Sequence, residues 1–238
     1  MDLNRNLTML TDFYEITMAN GYFKNGFKDT VAYFDMFFRK VPDGGGFVIM
    51  AGVEQLVEYL KNLTFTDEDI DYLRTKGFDE AFLEYLHNFK FCCDVWAIPE
   101  GTPIFPGEPI IKVKGPVIQA QFIETMVLLC INHQSLIATK ANRICRAAKG
   151  RAVLEFGSRR AQGFDGAIYG ARAAYIGGCA GTACTISDEK FGVPALGTMA
   201  HSWVQLFDSE LEAFRAYAKE YPDSCTLLVD TYNVLKSG

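Results

Sequence analysis

The fold turns on Arg151–Ala183, RAVLEFGSRRAQGFDGAIYGARAAYIGGCAGTA. Ala152–Phe156 is a short apolar run of the kind a buried strand shows. A glycine turn follows, then a helical stretch around Ala167–Ile176, and Cys179–Ala183 reads as the next strand. The alternation continues downstream. Ser187-Asp188-Glu189 caps a short helix ending near Gly192, and Pro194–Met199 is a third strand. Ser209-x-x-Glu212 is a capping box opening a helix to about Lys219, and Thr226–Asp230 is a fourth strand. Strand and helix in turn predict a parallel α/β structure.

The 88 residues from 151 to 238 supply about four such strands. A closed β/α barrel takes about 250 residues, at roughly 30 or more per βαβ unit. The expected architecture is therefore half of a barrel, and Val234–Gly238 gives no sign of a closing helix.

Upstream the periodicity differs. From Val117 to Ala148 there is neither Pro nor Gly, and Gly150 follows as a stop. That predicts a linking helical segment, about 48 Å long if unbroken. Before it, five of the eight prolines fall between Pro99 and Pro116, among glycines and β-branched residues, as in short strands and turns. Asp29–Arg39 alternates, with Ala32, Phe34, Met36 and Phe38 on one face. Helices are expected from Thr11 or Asp12 to about Asn20, over Val53–Leu60, after Thr66, and from Asp79 to Phe89. The division is an α+β module (1–116), a linking segment (117–150) and the barrel half (151–238).

Composition narrows the function. Lys+Arg is 23 against Asp+Glu 29, a net charge of −6. Without a basic stripe this is a poor match to nucleic acid, though a few arginines can still dominate one pocket. The uncharged, largely apolar stretches Thr125–Thr139 and Ala173–Ser187 have 15 residues each, too short for a membrane span. The N-terminus lacks the apolar core of a signal peptide, and the seven cysteines include no CxxC pair. Reduced cytoplasmic thiols, mostly small buried side chains, are the expectation. Three histidines make a Cys/His zinc site weak.

In parallel α/β folds functional residues gather at the C-terminal strand ends. Three such ends are polar. Past the first strand lie Arg159 and Arg160 beside a glycine turn, suited to a carboxylate or phosphate. A plainer reading pairs one of them with Glu155. The third strand leads to Gly197-Thr198-Met199-Ala200-His201-Ser202-Trp203, where Thr198 and Ser202 offer hydroxyls beside His201. By default a lone His such as His201 is a core or cap histidine, its neighbours raise the functional reading, and no G-x-S-x-G elbow supports a serine hydrolase. The fourth strand ends at Asp230, which suits a ribose hydroxyl or a helix cap. Gly177-Gly178-Cys179-Ala180-Gly181 lacks nucleotide-loop spacing and reads as close helix–strand packing.

Five segments in order, LTDFYEITMANGYF (Leu10–Phe23), IPEGTPIFPGEP (Ile98–Pro109), EFGSRRAQG (Glu155–Gly163), GTMAHSW (Gly197–Trp203) and LLVDTYN (Leu227–Asn233), resemble nicotinate phosphoribosyltransferases. The resemblance covers essentially the whole chain. It implies the type II phosphoribosyltransferase kind of β/α barrel, here incomplete. It also implies synthesis of nicotinate mononucleotide and pyrophosphate from nicotinate and phosphoribosyl pyrophosphate in NAD biosynthesis. ATP hydrolysis would be coupled through a phosphohistidine at His201.

By the same resemblance Thr198 is a nicotinate contact, Phe156 a ring-stacking position and Arg159 a carboxylate or phosphoribosyl contact. Arg160 and Ser202 join them as candidate substrate contacts, and Asp230 is an acid near the ribose. Tyr14 closes the nicotinate pocket of the partner subunit in a head-to-tail homodimer. Mg²⁺ is expected on the polyphosphates rather than in a protein cage.

Family members are longer. Their later strands supply a further arginine and glycine-rich phosphate loops that residues 1–238 do not match. The expectation is the N-terminal portion of such an enzyme. A nicotinamide-using relative and a non-catalytic fragment that keeps the dimer and pocket surfaces are the alternatives.

Overall fold

In a computed structural model, which describes residues 5–237, the chain has a helical and antiparallel part followed by a parallel one. The first part contains α1 (Phe13–Lys24), β1 (Val31–Met36), β2 (Val48–Ile49), α2 (Val53–Asn62), α3 (Asp67–Thr75), α4 (Glu80–His87), β3 (Asp94–Ala97), β4 (Pro103–Ile104) and β5 (Ile111–Pro116). β1 and β3 both pair antiparallel with the central β5, and β2 pairs with β4. Along β5 the side chains alternate. Ile111 and Val113 are buried, whereas Lys112 faces Asp35 of β1 at 3.5 Å. Lys114 lies over the Tyr33 ring. The period-2 pattern read in residues 29–39 is this edge strand.

Helix starts follow the local chemistry. Thr66 and Asp69 form a reciprocal capping box on α3, and Asp79 accepts the Phe82 N–H on α4. α1 runs past Gly21 to Lys24, so the expected stop at Asn20 is four residues short. A lone Gly weakens a helix without ending it, and Asn25 with the positive-φ Gly26 terminates this one.

The linking segment forms two helices, α5 (Val117–Phe122) and α6 (Glu124–Ala147), broken once at Ile123. Ile118, Phe122, Ile123, Val127 and Ile131 belong to the largest core cluster, with Leu56, Leu73, Phe82 and Leu86. Val117–Ala147 is long enough to cross a membrane and its most apolar 18-residue window reaches mean hydropathy 1.2, but half of that window is buried inside the protein. That is how a core helix packs. The far end of α6 lies against α7 (Gly163–Ile176). A side chain at Gly177 would overlap the Ala138 carbonyl and Ala141 Cβ, so this glycine serves helix–helix contact with α6 rather than the expected helix–strand contact.

The parallel part holds β6 (Leu154–Glu155), α7, β7 (Gly181–Thr182) and α8 (Thr185–Phe191), which ends at left-handed Gly192. β6 and β7 are parallel, and Thr182 bridges in parallel to Ala195. The third expected strand is thus a single bridge at Ala195. The fourth does not form: Thr226–Asp230 has no ladder partner among the described residues. Instead Leu228 and Val229 pack on Met199, Val204 and Phe214, which joins this segment to α9 (His201–Gln205) and α10 (Glu210–Glu220). Ser209 accepts the Glu212 N–H at the start of α10, as its capping sequence predicts. A one-turn α11 (Val234–Ser237) follows where no helix was expected.

All seven cysteines are free thiols, but only Cys179 and Cys184 are buried, so the expectation of mostly buried side chains fails.

Candidate active site

The register of the parallel strands builds one rim. Ala183 N–H donates to Glu155 O at 2.9 Å, and Leu196 N–H to Thr182 O at 2.8 Å. The chain therefore leaves three adjacent strand positions at the same end: into Phe156–Arg160, into Cys184–Thr185 and into Gly197–His201. In parallel sheets this is the end where ligands bind.

Among the described residues Glu155 pairs with no arginine. Its carboxylate accepts the Gly157 N–H at 2.5 Å and the Thr182 hydroxyl at 2.6 Å, which ties the first turn to the neighbouring strand. Arg159 and Arg160, in a 3-10 turn before α7, are exposed and make no ion pair among the described residues. Phe156 is half-exposed between them and the strand. Two free guanidinium groups beside an exposed ring suit a planar aromatic acid or a phosphate.

His201 opens α9, and Trp203 fixes that helix by donating its indole N–H to the Ala213 carbonyl at 3.1 Å. On His201 Nδ1, Thr231 Oγ1 stands at 3.3 Å and Asp230 Oδ1 at 3.9 Å. Thr198 and Ser202, put forward as hydroxyl neighbours, do not take that place. Thr198 donates its hydroxyl to the Met199 carbonyl at 3.0 Å, a local bond that occupies it. Ser202 is exposed on α9. Thr231 was not singled out in the sequence, although it directly follows Asp230.

Tyr14 is not joined to this rim by any hydrogen bond or ion pair among the described residues. It sits in the first turn of α1, 42% exposed, and its pKa is pushed up to about 12 by burial and by the Glu124 carboxylate beside it. The next residue, Glu15, is buried. It accepts the Thr11 hydroxyl and both the backbone N–H (3.1 Å) and hydroxyl (2.6 Å) of Thr125. Burial raises its pKa against the pull of these donors. The two neighbours thus divide their work: Glu15 pins α1 to α6, and Tyr14 faces outward.

A second polar centre ties α7 to the start of α2. Arg172, 9% exposed in α7, donates to Glu100 Oε1 at 3.0 Å and Oε2 at 2.6 Å, to Gln134 at 3.4 Å and to Glu54. Glu100 also accepts the Gly52 and Val53 N–H groups at the start of α2, at 2.5 and 2.9 Å. Burial works against the Glu100 carboxylate, but Arg172 and these N–H groups outweigh it and hold its pKa below the usual range. Sequence reading missed this centre. The available signal was one arginine inside the apolar helix AIYGARAAYI, because a buried charge needs a partner.

No cluster of three or more His, Cys, Asp or Glu side chains is placed to hold a metal ion among the described residues.

Residues 9–132 match the family model for the nicotinate phosphoribosyltransferase N-terminal domain. The chain is 47% identical over 229 residues to nicotinate phosphoribosyltransferase pncB2 of Mycobacterium tuberculosis H37Rv, covering 96% of this chain and 49% of that protein. It is 43% identical over 233 residues to the Bacillus subtilis nicotinate phosphoribosyltransferase, covering 98% and 47%. Among solved structures, human nicotinic acid phosphoribosyltransferase matches with TM-score 0.86 at 32% identity, over 94% of this chain and 55% of that one. Nicotinate-nucleotide pyrophosphorylase from Pyrococcus furiosus matches with TM-score 0.77 at 25% identity, over 96% and 51%. The chain spans about half the length of the curated relatives it matches.

Proposed function

Because the chain belongs to the nicotinate phosphoribosyltransferase family, we propose that it supplies the phosphohistidine side of an enzyme forming nicotinate mononucleotide and pyrophosphate from nicotinate and phosphoribosyl pyrophosphate. ATP is the energising co-substrate, and the setting is cytoplasmic NAD biosynthesis. The observation that carries the reading is His201 Nδ1 with the Thr231 hydroxyl at 3.3 Å and the Asp230 carboxylate nearby at 3.9 Å, on the same rim as Arg159 and Arg160.

A carboxylate or hydroxyl on Nδ1 orients an imidazole and selects the tautomer whose other nitrogen carries the lone pair. Nε2 of His201, without a partner among the described residues, is then the phosphoryl acceptor. Nucleophilic attack on the ATP γ-phosphorus forms the N–P bond as the bond to the ADP oxygen breaks. Arg159 and Arg160 hold the nicotinate carboxylate or a phosphate, and Phe156 stacks on the pyridine ring. Transfer at the anomeric carbon develops positive charge on the ribosyl ring and negative charge on pyrophosphate, so placement and electrostatics dominate. The Asp230 carboxylate complements the ribosyl charge. Any Mg²⁺ rides on the phosphate oxygens, with at most a carboxylate such as Asp230 from this chain. Tyr14, which no hydrogen bond or ion pair joins to the rim of its own chain among the described residues, serves the pocket of a second subunit in a homodimer.

The test is incubation with γ-labelled ATP, then with nicotinate and phosphoribosyl pyrophosphate. Acid-labile label lost in His201→Ala, and nicotinate binding lost in Arg159→Ala, are the expected results. Label retained in His201→Ala would refute the phosphohistidine. Label without mononucleotide would mean that the transfer half of the site lies outside these residues. No label and no nicotinate binding would favour a non-catalytic role.

A further inference from the structure

Away from the rim, a pocket of about 350 Å³ lies between α2, α6, α7 and the segment around Arg5–Leu10, and it adjoins a second of about 410 Å³ that shares Arg5, Gln55, Tyr59 and Tyr169. Gln55, only 7% exposed, lines both, and neither its amide oxygen nor its amide nitrogen has a hydrogen-bond partner among the described residues. Tyr59, one turn later on the same face of α2, has a buried hydroxyl that also finds no partner among the described residues. Across the pocket, the Asp165 carboxylate pairs with Arg5 through Oδ2, while its buried Oδ1 finds no partner among the described residues.

Buried polar groups are almost always satisfied, and each orphan costs folding free energy. Four such atoms, from three side chains that line one cavity, are the pattern of a ligand site: apolar walls with a few polar groups. The walls here include Leu7, Met126, Leu129 and Tyr169.

We propose that this pocket binds a small planar aromatic carboxamide. A primary amide matches Gln55 in a two-bond pair, its oxygen accepting from Nε2 and one N–H donating to Oε1. Its second N–H finds acceptors in the Asp165 Oδ1 and Tyr59 oxygens, and its ring lies against the apolar walls. A carboxylate would lack the donors that Gln55 Oε1 and Asp165 Oδ1 require. Arg5 already neutralises Asp165, so no net charge is left to draw an ion. The site is separate from the His201 rim and does not depend on the function proposed for it.

The test is calorimetric titration of the purified protein with benzamide and nicotinamide, and with benzoate as the acid counterpart. The expected Kd for the amides is about 0.1–1 mM, from their few heavy atoms. Benzoate should bind at least about tenfold more weakly, and Gln55→Leu should weaken amide binding by about tenfold or more. Tyr59→Phe provides a gentler check, with a loss of about threefold. His201→Ala and Arg159→Ala should leave amide binding unchanged. The absence of saturable amide binding, equal affinity for benzoate, or undiminished binding in Gln55→Leu would each overturn the proposal. Loss in the rim variants instead of Gln55→Leu would place the amide at the rim and overturn it too. Should Gln55→Leu fail to fold, undiminished binding in Tyr59→Phe decides against the site.

Discussion

Arg172→Met removes a buried cation while keeping most of its apolar volume. Glu54 is 59% exposed and can return to water, but Glu100, with a side chain 20% exposed, cannot. Glu100 keeps the Gly52 and Val53 N–H groups at 2.5 and 2.9 Å. Breaking a buried pair from one side typically costs 3–5 kcal/mol, and those two donors place this case near the low end, at about 3 kcal/mol. For a chain of this size that is a fall in Tm of about 6–12 °C.

The pH dependence has a fixed sign. The Glu100 pKa is depressed in the folded protein, so its contribution is fully present above the unfolded value and is lost as pH falls through the folded one. Without Arg172, burial is left to push the Glu100 pKa up, and the contribution shrinks or reverses. The gap between wild type and Arg172→Met should therefore narrow as pH falls below about 4.5, near the unfolded glutamate range. Circular-dichroism melts of wild type, Arg172→Met, Glu100→Gln and the double variant at pH 7 and pH 4 would check this. A Tm change under about 2 °C, or a coupling below about 0.5 kcal/mol in the cycle, would refute the assignment of this pair as the link between α7 and α2.

Gly52 has φ +104°, and a side chain there would overlap the Cys130 carbonyl of α6. Gly52→Ala should lower stability by about 2–3 kcal/mol, read from denaturant midpoints; a neutral result would mean that α2 does not approach α6 this closely. Tyr14 should ionise near pH 12, about two units above an ordinary phenol, because burial and Glu124 oppose the phenolate. The difference in 295 nm absorbance titration between wild type and Tyr14→Phe isolates it, and a midpoint near 10 would contradict that environment.

Local chemistry carried much of the fold. Caps at Thr66, Asp79 and Ser209, the alternation over β1, the long Pro- and Gly-free helix and the β6–α7–β7 sequence depend on neighbours within a turn or two. Period and capping determine them, and both can be read along the chain. The strand at Thr226–Asp230 failed for the opposite reason. A strand needs a hydrogen-bonded neighbour, and the packing of Leu228 and Val229 onto α9 and α10 competed for it.

For the candidate site, sequence alone placed Phe156, Arg159, Arg160, Thr198, Ser202 and His201 past strand ends, because the alternation fixes where strands end; the strand expected before Asp230 does not form. Sequence could not say which of these residues meet. Tertiary packing put Thr231, rather than Thr198 or Ser202, on His201 Nδ1, and turned Glu155 toward Gly157 and Thr182, leaving the arginines free. Tertiary packing also decided the Glu100–Arg172 centre, whose members lie 72 residues apart. The physical reason is common to these cases. Periodicity constrains which face a side chain takes, whereas its partner is fixed only when separate elements are brought within hydrogen-bond reach.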